Sequence, residues 1–168
     1  GVSVNVSARQ LAHPSLAKDV AAVIARYRLP PHLLTLEVTE TAMLEGTLVS
    51  AEVLDELSTL GVKLALDDFG TGYSSLGHLR RFPVDMLKID RMFVEGLGPG
   101  SGDTAIVAAV AAMAHALGIR TVGEGIETTA QLDALVGLGC EAGQGFLIAH
   151  PLDPDELAAR YLRVADVS

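Results

Sequence analysis

Val2, Val4 and Val6 alternate with Ser3, Asn5 and Ser7, a two-residue period that predicts a β-strand over 2–6. Leu16, Val20, Val23, Ile24 and Tyr27 follow near helical spacing and predict a helix over 14–28, stopped by Pro30 and Pro31. The two patterns keep taking turns. Strands are predicted over 33–38, 62–66, 86–89 and 119–122, with a short one near 142–143. Helices are predicted over 47–60, 74–81, 103–117, 128–138 and 154–164, and Gly61, Gly118 and Gly139 close three of them. About six βα units with connections this short imply a parallel sheet with right-handed crossovers. Two architectures satisfy that pattern, a doubly wound open sheet and a (β/α)8 TIM-like barrel.

The polar residues inside the strands separate the two. Neighbouring side chains along a strand face opposite sides. In Leu34-Thr35-Leu36-Glu37-Val38 the aliphatics share one face and Glu37 takes the other; Asp67 opposes Leu66, and Lys88 opposes Leu87 and Ile89. Asn5, Glu37, Asp67, Lys88, Glu124 and Gln144 thus each sit near the C-terminal end of a different strand. An open sheet covered by helices on both faces has no place for inward charges, whereas the rim of a barrel builds its active site there. The pattern favours the barrel. No GxGxxG follows a strand and no GxxxxGK[ST] occurs, which weakens a nucleotide-cofactor reading.

Composition narrows the class further. Nearly half the residues (49%) are apolar and 20% charged, which excludes a disordered chain and leaves one domain over 1–168. Only 4% are aromatic, with no Trp, so Ala, Val, Leu and Gly must build the core. A single cysteine, Cys140, excludes a disulfide scaffold. The formal charge of -9 argues against a nucleic-acid polymer as partner. The longest apolar run, 105–114, is ten residues, about half of what a membrane span needs. No signal peptide opens the chain, and the cytoplasm is the expected compartment. The chain starts without Met and inside a strand pattern, which predicts a domain lacking its N-terminal portion.

Charge at the rim points to chemistry. Asp67, Asp68, Glu37 and Glu124 bring four carboxylates, and Lys88 offsets one. Crowded carboxylates repel unless protonated or neutralised by cations. An oxygen-rich set with one Asn amide suits Mg²⁺ or Mn²⁺ rather than Zn²⁺. Adjacent Asp67 and Asp68 can serve two ions, one ligand shared, which is the arrangement for two-metal hydrolysis of a phosphodiester.

The motifs Asn5-Val6-Ser7 with Gln10, Leu36-Glu37-Val38-Thr39-Glu40, Asp67-Asp68-Phe69-Gly70-Thr71-Gly72-Tyr73-Ser74-Ser75-Leu76, Lys88-Ile89-Asp90, Glu124-Gly125-Ile126-Glu127 and Gln144-Gly145-Phe146 resemble the EAL-domain cyclic-di-GMP phosphodiesterases. They come in that family's order and span nearly the whole chain. The resemblance implies a modified (β/α)8 barrel with one antiparallel strand, and hydrolysis of cyclic-di-GMP to linear pGpG. It implies Asn5, Glu37 and Asp67 as ligands of a first divalent cation. Asp67 would bridge to a second, held with Asp68 and Glu124. Lys88 is implied to orient and polarise the attacking water. Glu127 and Gln144 are implied to hydrogen-bond waters or ligand. Phe69, Gly70, Thr71 and Gly72 are implied to belong to a loop that couples metal binding to dimer contacts, and Glu40 is implied to hold that loop. A homodimer, and an upstream sensor or diguanylate-cyclase (GGDEF) domain, are further implications.

One departure is large. No Glu-Ala-Leu segment occurs, so its metal-ligating Glu and phosphate-contacting Arg would lie upstream of Gly1. A complete barrel of this kind needs about 250 residues. Three competing readings follow: a cyclic-di-GMP receptor that binds without cleaving, an inactive fragment with an open edge at its first strand, and another Mg²⁺-dependent barrel in which Lys88 is a base.

Overall fold

The computed structural model describes residues 1–44, 48–70, 79 and 82–161. Six strands form one sheet in the order β1 (Val2–Val6), β2 (Leu34–Thr39), β3 (Lys63–Phe69), β4 (Met86–Ile89), β5 (Arg120–Gly123) and β6 (Ala142–Gly143). Every neighbouring pair is parallel. All six match the predicted strands within three residues, the largest difference being the end of β3. Spatial order equals chain order, as in a barrel wall. A doubly wound sheet would reverse direction partway across.

The helices are α1 (Ala8–Leu11), α2 (Leu16–Tyr27), α3 (Glu40–Leu44), α4 (Leu48–Thr59), α5 (Arg91–Glu95), α6 (Gly102–Ala116), α7 (Thr129–Gly137) and α8 (Pro154–Tyr161). The expected helices over 14–28, 47–60, 103–117, 128–138 and 154–164 correspond to α2, α4, α6, α7 and α8. The one expected over 74–81 falls almost wholly outside the described residues.

Three short helices, α1, α3 and α5, were not expected. Each begins within two residues of a strand's end. At four or five residues they are too short to show a 3.6-residue period. Their caps are nevertheless written in the sequence. Ser7 and Gln10 form a capping box, with Gln10 N–H donating to Ser7 Oγ at 3.3 Å and Ser7 N–H to Gln10 Oε1 at 3.0 Å. Asp90 Oδ1 accepts from Met92 N–H at 2.7 Å. These turns fix the chain where it leaves the rim.

The core lies between the sheet and the helix layer. Leu36, Leu64, Leu66, Leu87 and Ile89 on the outer strand face pack with Leu54, Leu57, Val94, Val107 and Leu135, all at most 3% exposed. Burying one such side chain contributes about 1.5–3 kcal/mol. The opposite strand face carries Glu37, Asp67 and Lys88. In β1, Val2 and Val4 remain about half exposed, since this strand pairs on one side only.

The opposite end of the sheet is tied by two carboxylates. Asp85 accepts from Lys63 Nζ at 2.6 Å and from Leu64 N–H at 3.0 Å, joining β3 to β4. Glu141 Oε2 accepts from Thr121 N–H at 2.6 Å and Thr121 Oγ1 at 2.9 Å, joining β5 to the start of β6. The Thr121 backbone hydrogen bond, more than any other cause, holds the Glu141 carboxyl below its ordinary range. A carboxylate with a depressed folded pKa stabilises the fold above its unfolded value, about 4.3, and loses that contribution as pH falls. Glu141→Gln is therefore expected to lower stability by about 1 kcal/mol or less at pH 7, the group being largely solvated. The difference between wild type and variant should close in denaturant titrations below pH 4.

Candidate active site

Each strand carries at least one polar residue at or just after its C-terminal end. Asn5 of β1 pairs in register with Glu37 of β2, and Thr39 with Asp67 of β3. Lys88 stands on β4, Glu124 directly after β5, and Gln144 directly after β6.

Lys88 is the hub. Its Nζ lies 2.7 Å from Glu37 Oε2, 3.0 Å from Asp67 Oδ1 and 2.6 Å from Glu124 Oε1. The lysine side chain is 6% exposed and its three partners 10–14%, so this is a nearly dry cluster. Burial opposes the ammonium. Hydrogen bonds to Glu124, Glu37 and Asp67 outweigh it and hold the lysine above its ordinary range. A base role for Lys88 does not fit: all three ammonium protons face carboxylates.

The strand rule alone would send Asp67 and Asp68 to opposite faces. The structure resolves this with an irregularity. Leu66 pairs with Leu87 and Phe69 with Ile89, three residues of β3 spanning two of β4. Asp68 adopts φ +55°, a left-handed conformation that Asp tolerates better than most residues. A bulge of this kind re-aims side chains. Carboxylate oxygens of Asp67, Asp68 and Glu124 consequently lie within 4.8 Å of one another.

Burial, then the charges of Asp67 and Asp90, push the Asp68 carboxyl up. Burial also raises Glu124, against the pull of Lys88. Counting Glu37, Asp67, Asp68 and Glu124 as ionised, four carboxylates face one ammonium, an excess of three negative charges. Divalent cations would satisfy that excess, and the donors are hard oxygens. The residues present therefore fit such ions.

Around this ring, Gln144 Nε2 donates to Glu124 Oε1, fixing that carboxylate from the β6 side. Glu40, 4% exposed, accepts from Gly70 N–H through Oε2 at 3.1 Å and so ties the start of the loop after β3 to α3. Gly70 has φ +97°, and a Cβ there would stand 2.9 Å from the Phe93 ring. Phe69 is buried beside it. Thr71 and Gly72, expected in this loop, lie outside the described residues. Glu127 accepts from Arg91 Nη2 at 2.9 Å and lines a cleft together with Gln144.

Asp90, named above only within the Lys88-Ile89-Asp90 motif, is a further carboxylate beside Asp68. It follows Lys88 by two positions, the spacing of a shared strand face, and its charge helps push the Asp68 carboxyl up. Arg91, Phe146 and His150, which line a cleft next to Gln144, carried no such signal.

Gly145 lets the 144–147 turn press against Ile126. Ile126 N–H donates to Gln144 O at 3.1 Å, and Leu147 N–H to Ile126 O at 2.9 Å. A Cβ on Gly145 would overlap Ile126 N and O. Gly145→Ala is expected to cost about 1–3 kcal/mol and to shift Gln144 off Glu124. Thermal melting, with comparison of the Gln144 side-chain amide signals, checks both.

Comparison with known proteins gives one consistent result. The family model "EAL domain" matches residues 1–151. MucR of Pseudomonas aeruginosa, a bifunctional diguanylate cyclase/cyclic di-GMP phosphodiesterase, is 44% identical over 94% of the chain, which spans 23% of MucR's length. Among solved structures, the PaMucR phosphodiesterase in its c-di-GMP complex superposes with a TM-score of 0.89 at 44% identity, covering 94% of this chain and 70% of that one. BlrP1 of Klebsiella pneumoniae, in a manganese/cy-diGMP complex, gives 0.80 at 36% identity, covering 86% and 37%.

Proposed function

The chain belongs to the EAL domain family, and on that premise we propose that it hydrolyses cyclic-di-GMP to linear pGpG. The observation that carries this reading is the dry cluster of Glu37, Asp67 and Glu124 around Lys88, with Asp68 brought to the same edge by the β3 bulge. Similarity to a phosphodiesterase seen with c-di-GMP, and to BlrP1 seen with manganese, supports it.

Asn5, Glu37 and Asp67 would hold one divalent cation, and Asp67, Asp68 and Glu124 a second, Mg²⁺ or Mn²⁺. Such ions, when bound, supply Lewis acidity toward the phosphoryl oxygens and make water nucleophilic near neutral pH. The protein's own groups do the rest. Lys88, held protonated among three carboxylates, would turn a donor toward the attacking water or the charge that grows on phosphorus oxygens once divalent cations take up those carboxylate oxygens. Gln144 keeps Glu124 in one orientation. The Glu40 contact couples the loop after β3 to the rim. In the reaction the water oxygen bonds to phosphorus, one P–O ester bond breaks, and the departing oxygen takes a proton.

The domain would work within a longer cytoplasmic protein, as a homodimer, alongside a sensor or diguanylate-cyclase domain. MucR, of which this chain spans less than a quarter, combines both activities. Incubation with cyclic-di-GMP and Mg²⁺ or Mn²⁺ should yield linear pGpG by chromatography. Folded protein that binds the dinucleotide and leaves it intact would overturn hydrolysis in favour of a receptor.

A further inference from the structure

β6 is two residues long, Ala142–Gly143, and among the described residues it pairs only with β5. Neither Ala nor Gly favours a strand. The register of β6 nevertheless decides where Gln144 stands, because Gln144 is the next residue and its Nε2 donates to Glu124 Oε1. Val122 pairs with Ala142, and Gly123 with Gly143. One further step in each direction sets Thr121 against Glu141 and Glu124 against Gln144. Side-chain contacts close both of those steps.

The Thr121 step is the more deeply placed. Thr121 is 1% exposed, and both its N–H and its hydroxyl donate to Glu141 Oε2, at 2.6 and 2.9 Å. Buried donors that lose their acceptor are costly. Backbone bonds also hold this segment: Gln144 N–H donates to Gly123 O at 2.8 Å, and Ile126 N–H to Gln144 O at 3.1 Å. Backbone bonds are alike for every residue, so a slipped ladder can remake them one position along. The Glu141 contact cannot follow, since a slip of one residue sends each side chain to the opposite face. The same slip would carry Gln144 away from Glu124.

We infer that Glu141 is a positioning residue for the rim: anchored on Thr121, it sets the register of β6 and thereby the place from which Gln144 orients Glu124. The inference rests on the proposed hydrolysis and adds to that site a residue from the other end of the β5–β6 pair. Glu141 acts through Gln144 and not on the reacting atoms. Groups that orient a metal ligand change affinity or activity by about 10–100-fold when removed.

Turnover of cyclic-di-GMP with Mg²⁺, beside nuclear magnetic resonance of the Gln144 side-chain amide in the metal-free chain, tests this on Glu141→Ala, Glu141→Gln, Gln144→Ala and the double variant Glu141→Ala/Gln144→Ala. Glu141→Ala should lower kcat by about tenfold and move the Gln144 amide signals toward those of a free amide. Glu141→Gln keeps an oxygen that accepts from Thr121 and should restore most of both. In the Gln144→Ala background, Glu141→Ala should lower kcat no further, because the two act as one unit. Losses that multiply in the double variant overturn the inference, as does a folded Glu141→Ala whose Gln144 signals stay in place. Should Glu141→Ala fail to fold, Thr121→Val serves, with a smaller movement of the same signals. If wild type cleaves and the Gln144 signals do not move, the positioning role fails and hydrolysis stands. If the signals move and wild type does not cleave, hydrolysis fails and the register pin stands.

Discussion

Lys88→Ala is expected to destabilise the metal-free chain by about 3–5 kcal/mol, the cost of leaving buried charges without their partner. Glu37, Asp67 and Glu124 would face one another at 10–14% exposure with no ammonium between them. Added Mg²⁺ or Mn²⁺ should recover much of that stability, because a divalent ion neutralises the same oxygens. Turnover should stay low, by about 10²–10³-fold, since the donor toward the reacting phosphate is gone. Melting curves with and without the ion, beside initial rates, separate the two effects. A variant as stable as wild type in chelator would show that the cluster does not need its lysine.

Asp68→Asn is expected to move stability and activity in opposite directions. Burial and the neighbouring Asp67 and Asp90 raise the Asp68 carboxyl. A carboxyl whose folded pKa lies above its unfolded value destabilises the fold at neutral pH, and that cost fades as pH falls through the folded value. Asn removes the charge, keeps the shape and tolerates the left-handed backbone at φ +55°. The metal-free fold should gain from a few tenths to about 1 kcal/mol, the group being partly solvated. The gain should shrink toward pH 4. Divalent-dependent turnover should fall by two orders of magnitude or more, as a ligand is lost. Denaturant titration at two pH values and a metal-dependent rate assay give both numbers. This is the trade that crowded active-site carboxylates impose on stability.

The sequence made the barrel wall legible because parallel strands buried on one face by helices leave ionisable residues only one place to go. Alternation placed Glu37, Asp67 and Lys88 on one face without knowledge of the fold, and in the structure all three share the Lys88 cluster. Alternation also fails at one position. It assigns Asp68 to the opposite face, and only the β3 bulge brings it back. A bulge leaves no periodic trace, since it is one residue inserted into an otherwise regular pattern. The short helices α1, α3 and α5 escaped for a related reason: their signal lies in caps such as Ser7 and Asp90. Asp90 follows Lys88 at the spacing of a shared strand face, the same signal that marks Glu37, Asp67 and Lys88. Arg91 meets Phe146 and His150 from a separate segment, which no local pattern announces.

Paired divalent ions at the strand tips are what the proposed chemistry depends on. Electron paramagnetic resonance of the chain with two equivalents of Mn²⁺ reports on that pairing directly. Two ions sharing Asp67 should give an exchange-coupled spectrum in wild type that Asp67→Asn reduces to isolated Mn²⁺. A folded wild-type chain that shows only isolated or free Mn²⁺ would contradict the shared-ligand centre.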